Sequence, residues 1–82
     1  MTRAYILILT GPGRGPDVAA AVGTIPGVTS AESVTGPYDV VVRAEGRSLA
    51  EISSRVVGAI HLVEGVTRTL TCPAVGVDRS HG

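Results

Sequence analysis

The stretch Thr35-Gly36-Pro37-Tyr38-Asp39-Val40-Val41-Val42 carries a Gly-Pro turn and two polar side chains straight into an unbroken apolar strand. Side chains alternate along a strand, so Val40, Val42 and Ala44 face one way while Val41, Arg43 and Glu45 face the other. Valine on both faces asks for two apolar coverings. A chain this short has room for about two helices, enough for one face of a sheet, so the second covering has to come from another subunit. Oligomerisation is the first expectation.

Composition narrows the rest. Hydrophobic residues make up 44% of the 82, yet Phe and Trp are absent and the only aromatics are Tyr5 and Tyr38. The interior is therefore aliphatic and rich in β-branched residues. A domain of this size buries only about 60% of the surface its unfolded chain exposes, and a partner subunit would add core. The seven positive charges are all arginines, scattered from Arg3 to Arg79 and balanced by seven carboxylates. With no basic stripe and no aromatic platform, direct nucleic-acid binding is not expected. The single Cys72 excludes an internal disulfide, and neither a signal-like segment nor an apolar run of about 18 residues follows Met1. A cytoplasmic protein that does not associate with membranes is expected.

Outward from the opening stretch, residues 4–10 (AYILILT) form an apolar strand that stops at Gly11-Pro12-Gly13. Pro16 suits the first turn of a helix and Asp17 its positive end, and Val18, Ala21, Val22 and Ile25 follow at helical spacing until Pro26-Gly27. A second strand over 28–35 returns through Gly36-Pro37 into a third over 38–45, as an antiparallel hairpin. Ser48 and Glu51 make an S-x-x-E capping box, after which Leu49, Ile52, Val56, Ala59 and Ile60 form one apolar stripe. Gly65 opens a fourth strand in which Val66, Arg68, Leu70 and Cys72 lie on one side and Thr67, Thr69 and Thr71 on the other. Residues 1–75 make one domain and 76–82 a flexible tail. The order strand, helix, strand, strand, helix, strand is the α+β, ferredoxin-like βαββαβ arrangement: a four-stranded antiparallel sheet with two helices on one face. An internal echo supports it, since Gly27-Val28-Thr29 and Gly65-Val66-Thr67 both place Gly-Val-Thr between a helix and a strand.

A Pro-Gly-Val joint, a Gly-x-Tyr-Asp hairpin before an aliphatic strand and a last strand of the type Gly-Val-Thr-Arg-Thr together resemble the Lrp/AsnC regulators, specifically their C-terminal effector-binding and oligomerisation (RAM) domain. The resemblance covers residues 4–74. It implies a dimeric α/β barrel formed through the sheets, further assembly from tetramers to octameric or decameric rings, and an amino acid bound between dimers. It also implies that Gly36, Tyr38 and Asp39 line the effector pocket from the hairpin and that Thr67 and Thr69 contribute hydroxyls. A carboxylate suits an α-ammonium, and hydroxyls suit an α-carboxylate. Full regulators of this family carry a helix-turn-helix ahead of the module, and here the first strand starts within a few residues of Met1. The expectation is a stand-alone module, acting alone or with full-length Lrp/AsnC regulators, without direct DNA binding.

Each singled-out residue also has a structural reading. Gly36 serves the turn, Tyr38 fills an interface, Asp39 caps backbone donors, and the threonines are good strand formers. His61 ends a helix, where a cation suits the macrodipole, and His81 is isolated, so no metal-ligand spacing exists. Gly11-Pro12-Gly13-Arg14-Gly15 lacks the Gly-Lys-Ser/Thr ending of a phosphate loop and reads as a mobile loop. No catalytic residue, metal or cofactor is assigned, and the chain is not expected to be an enzyme. The alternative is a small dimeric ferredoxin-like enzyme of monooxygenase or isomerase type, which would require an enclosed intrasubunit cavity containing His61.

Overall fold

Six elements appear in the expected order in the computed structural model, which describes residues 1–75; the tail assigned to 76–82 lies outside them. They are β1 (Thr2–Thr10), α1 (Gly15–Val22), β2 (Val28–Ser33), β3 (Val40–Gly46), a helical segment α2 over 49–60, and β4 (Val66–Pro73). The sheet order is β2-β3-β1-β4 and every pairing is antiparallel. The ferredoxin-like α+β fold is as expected.

The two-face reading of the strands holds. Ala4, Ile6 and Ile8 of β1 and Val40, Val42 and Ala44 of β3 are fully buried beneath Val18, Ala19 and Val22 of α1 and Ile52, Val56 and Ile60 of α2. On α1 the buried position beside Val18 and Val22 is Ala19, whereas Ala21, expected inside, is exposed. The opposite face carries Tyr5, Leu7, Leu9, Val41, Leu70 and Cys72, brought side by side by the pairs Leu7↔Val41, Leu7↔Leu70 and Tyr5↔Cys72. No helix among the described residues covers it, and Leu70 is 46% exposed.

The capping box forms with one shift. Ser48 Oγ accepts the Glu51 N–H at 3.1 Å, while Glu51 Oε1 accepts the N–H of Arg47, one residue before the usual partner, at 2.7 Å. Beyond it, α2 is α-helical at Leu49–Glu51 and Gly58–Ile60 and π-helical over Ile52–Val57. Ile52, Val56 and Ile60, spaced by four, all lie in the core along this segment. Leu49, expected in this stripe, is 40% exposed, and Ala59 is half-buried.

The internal echo is structural. Ile25-Pro26-Gly27-Val28 and Val63-Glu64-Gly65-Val66 each close on an N–H to C=O bond, Val28 to Ile25 at 3.0 Å and Val66 to Val63 at 3.3 Å, with positive φ at Gly27 (98°) and Gly65 (102°). Each glycine's carbonyl then accepts from a neighbouring strand end, Gly27 from Glu45 and Gly65 from Gly11. In each repeat the threonine sits at a register shift and donates its hydroxyl across the ladder, Thr29 to Arg43 O and Thr67 to Leu9 O.

A Cβ at Gly27 would stand 2.9 Å from Val56 Cγ2 on a backbone that side chains rarely adopt, whereas one at helical, exposed Gly58 meets nothing. Gly27→Ala should therefore lower unfolding free energy by roughly 2–4 kcal/mol and Gly58→Ala should raise it by about 0.5–1 kcal/mol in urea titrations. A neutral Gly27→Ala would remove the steric account of this joint.

Candidate functional site

Two of the expected site residues, Asp39 and Thr67, bond to the end of β1. Its last backbone groups need partners beyond the regular ladder, and neighbouring segments supply them. On the β3 side, the Asp39 N–H donates to Ile8 O at 2.9 Å, and Asp39 Oδ2 accepts the Thr10 N–H at 2.8 Å. On the β4 side, Thr67 Oγ1 donates to Leu9 O at 3.0 Å and the Gly11 N–H donates to Gly65 O at 3.0 Å.

These bonds correct the hairpin boundaries. The second strand, expected to reach residue 35, ends at Ser33, and the third starts at Val40 rather than at Tyr38. Asp39 turns its N–H to β1 while its carbonyl accepts from Val34, so residues 34–39 form a connecting loop in place of a tight turn. Gly36 lies there with φ 138°, a value that favours glycine, and nothing approaches its Cα direction within 4 Å. Tyr38 and Asp39 are half-buried.

Thr67 and Thr69 share a depression of about 360 Å³ with His61, Val66 and Arg68. The His61 ring reaches it from the end of α2, with Nε2 2.9 Å from Thr69 Oγ1. Gly36, Tyr38 and Asp39 do not line this depression. Within one chain the five expected residues thus form two groups. Asp39 and Thr67 hold β1 from opposite sides, two strand spacings or about 9–10 Å apart. Of the other lining residues, His61 was read as a helix-end cation and as the residue of the enzyme alternative, and Val66 and Arg68 only as strand residues. The available signal was faint, a histidine and a threonine eight residues apart across the Gly65 turn.

The depression is open to solvent and His61 is exposed, unlike the enclosed cavity that the enzyme alternative requires. A second depression, of about 190 Å³, lies at the other end of the sheet among Pro26, Gly27, Glu45, Glu51, Ile52, Arg55 and Val56. Its Glu51 carboxylate is already engaged in capping α2. Among the described residues no three His, Cys, Asp or Glu side chains come together as a metal site, and no helix is long and apolar enough to cross a membrane.

The molecule is thus a split βαβ sheet with one apolar face that no helix among the described residues covers and an open polar depression near the end of β1. Residues 3–76 match the Lrp/AsnC ligand binding domain, and the chain belongs to that family. It is 29% identical over 73 residues to an uncharacterized HTH-type transcriptional regulator of Pyrococcus furiosus, PF0250; the match covers 85% of this chain and spans about half, 49%, of that relative. Among solved structures it is similar to TTHA0845 from Thermus thermophilus, with a TM-score of 0.84 and 34% identity over 94% of this chain and 96% of the other. The fold is also that of the transcriptional regulator NMB0573 from Neisseria meningitidis, solved as an L-Met complex, with a TM-score of 0.76 and 21% identity over 92% of this chain and 50% of that one.

Removing the Asp39 carboxylate leaves the Thr10 N–H without its partner. Asp39→Ala should cost about 1–2 kcal/mol of stability and Asp39→Asn, which retains an acceptor oxygen, distinctly less. Equal losses from chemical denaturation of the two variants would mean that the Thr10 bond is not what Asp39 contributes.

Proposed function

We propose that this chain is an effector-binding and assembly module that recognises a free amino acid. The observation that carries the reading is the match of nearly all described residues to a ligand-binding domain family, on a fold shared with a regulator solved in complex with L-Met. The near-complete mutual coverage with TTHA0845 supports reading residues 1–75 as one folded unit. The relative PF0250 is named as an HTH-type transcriptional regulator, which favours a regulatory role over an enzymatic one.

Assembly follows from the bare sheet face. Two copies laying Tyr5, Leu7, Leu9, Val41 and Leu70 against each other close the sheets into a dimeric α/β barrel and bury the aliphatic surface that α1 and α2 leave open. Dimers then meet around the ends of their β1 strands. There Gly36, Tyr38 and Asp39 from one dimer and Thr67 and Thr69 from the next line a shared cleft for the amino acid. The Asp39 carboxylate keeps lone pairs beyond the one used by Thr10 and can take an ammonium. The module works in the cytoplasm by changing its assembly, alone or mixed with full-length Lrp/AsnC regulators, without touching DNA itself.

Native mass spectrometry with each common amino acid tests both parts. The wild type should fly as a multiple of the dimer and gain one amino-acid mass per site. Leu70→Arg should give a folded monomer by circular dichroism, and Asp39→Ala should keep the dimer and lose the added mass. A wild-type oligomer indifferent to every amino acid would overturn the sensing role, and a monomeric wild type would overturn the barrel.

A further inference from the structure

We propose that the bare sheet face selects a second copy of this chain through its charges, with the two-fold axis running along β1 and β3 so that Arg3 faces the partner's Glu45. The dimer itself rests on the reading above; the pairing adds how its two faces are turned and what they require of a partner.

The strand register sets the face out in rows. Across β3 and β1, Glu45 stands opposite Arg3, Arg43 opposite Tyr5 and Val41 opposite Leu7. On the flanking strands Glu32 and Leu70 extend the last of these rows and Ser30 and Cys72 the middle one. Arg3, Arg43 and Glu32 are exposed and Glu45 is half-buried. Among the described residues none of these four charges enters an ion pair; the pair that forms is Arg14 with Asp17, on another part of the molecule.

Aligned sheets that meet face to face under a two-fold axis have that axis in the plane between them. With the axis along the strands, β1 lies over the partner's β3 at the same level, so each residue faces the partner's copy of its own row neighbour. Arg3 then meets the partner's Glu45, Tyr5 the partner's Arg43 and Leu7 the partner's Val41, and symmetry makes each contact twice. Glu32 comes over the partner's Leu70, one row from the partner's Arg68. With the axis across the strands, every strand lies over its own copy. The outward residues of β1 are Arg3, Tyr5, Leu7 and Leu9, so Arg3 meets no carboxylate there wherever the axis falls. On β3, Arg43 and Glu45 meet only when the axis passes between them, and Leu7, Val41 and Leu70 are then left overhanging the end of the partner's sheet. The row order thus makes the face complementary to itself in one setting, and a partner has to carry a base at the place of Arg3 and an acid at the place of Glu45.

The test mixes Arg3→Glu chains with Glu45→Arg chains. Each variant alone sets like charges beside and across from one another, whereas a mixed dimer restores an opposite-charge pair at both cross-chain positions. In native mass spectrometry of an equimolar mixture, the mixed dimer should exceed its statistical share at least about tenfold. A control mixture of Arg55→Glu and Glu64→Arg makes the same changes in net charge at exposed positions off this face and should stay statistical. Arg3→Glu/Glu45→Arg in one chain restores the pairs within and between copies and should dimerise as the wild type does; circular dichroism verifies that each variant folds. An equal excess of mixed dimer in the control, or a folded double variant that dimerises no better than the single ones, would overturn the pairing and leave a dimer turned another way. A monomeric wild type would overturn the dimer itself.

Discussion

The last two residues of β1 hold the functional end of the molecule together. Strand-end backbone groups that leave the ladder must find other partners or lose the free energy of a hydrogen bond each. Here Thr10 N–H goes to the Asp39 carboxylate, Leu9 C=O receives the Thr67 hydroxyl and the following Gly11 N–H goes to Gly65 O. Two segments far from β1 in sequence are tied to one strand terminus by these bonds: the 34–39 loop, and the Gly65 turn with the start of β4. The side chains proposed to meet a ligand are therefore also the ones that fix where their own loops sit. Binding and local order are chemically linked at this end.

The second constraint is the aliphatic sheet. With no Phe or Trp, the core gains its burial from Ile, Val and Ala packed in a β-branched lattice, and α1 and α2 together bring only Val18, Ala19, Val22, Ile52, Val56 and Ile60 fully inside. Such a small core is thin for an 82-residue chain. The opposite face of the same strands is nearly as apolar at its centre, around Leu7, Val41 and Leu70, and is ringed by Arg3, Arg43, Arg68 and Glu32. An apolar centre with a charged rim is the form of an interface. Dimerisation would then add core to a domain that is short of it.

Much of this was legible in the residues. Period-two alternation in 40–45 and 68–72 gave the faces correctly, whereas the register shift at Thr67 turns Val66, expected beside Arg68, Leu70 and Cys72, onto the core side; the Ser48–Glu51 pair marked the start of α2, and the repeated Gly-Val-Thr marked two equivalent joints. What sequence did not display were interactions set by distance in the chain. The strand starts at Val40 although Tyr38 and Asp39 look like its natural continuation, and the bond of the Asp39 carboxylate to the Thr10 N–H joins residues 29 positions apart. The π stretch was not visible, since the spacing of four between Ile52, Val56 and Ile60 is that of an α-helical stripe. His61 was readable as a helix-end cation; its meeting with Thr69 depends on the path of the Gly65 turn, which brings the start of β4 back beneath the end of α2.

The pseudo-repeat explains why the depression with the His61–Thr69 pair arises once and not twice. Superposing Gly27 on Gly65 aligns Thr29 with Thr67, and both threonines spend their hydroxyl on a neighbouring strand's carbonyl. The same alignment puts Gly23 opposite His61 and Ala31 opposite Thr69. The first half therefore has the architecture of the second, with the same turn, the same positive-φ glycine and the same threonine bond, and lacks its polar pair. Its own depression opens instead among Glu45, Glu51 and Arg55. The shared features sustain the fold, since each half needs them to close its helix onto its strand. The features present in only one half are not required for closure, because the other half closes without them. His61 and Thr69 belong to that second kind, and a role beyond folding is the physical reason to place them there.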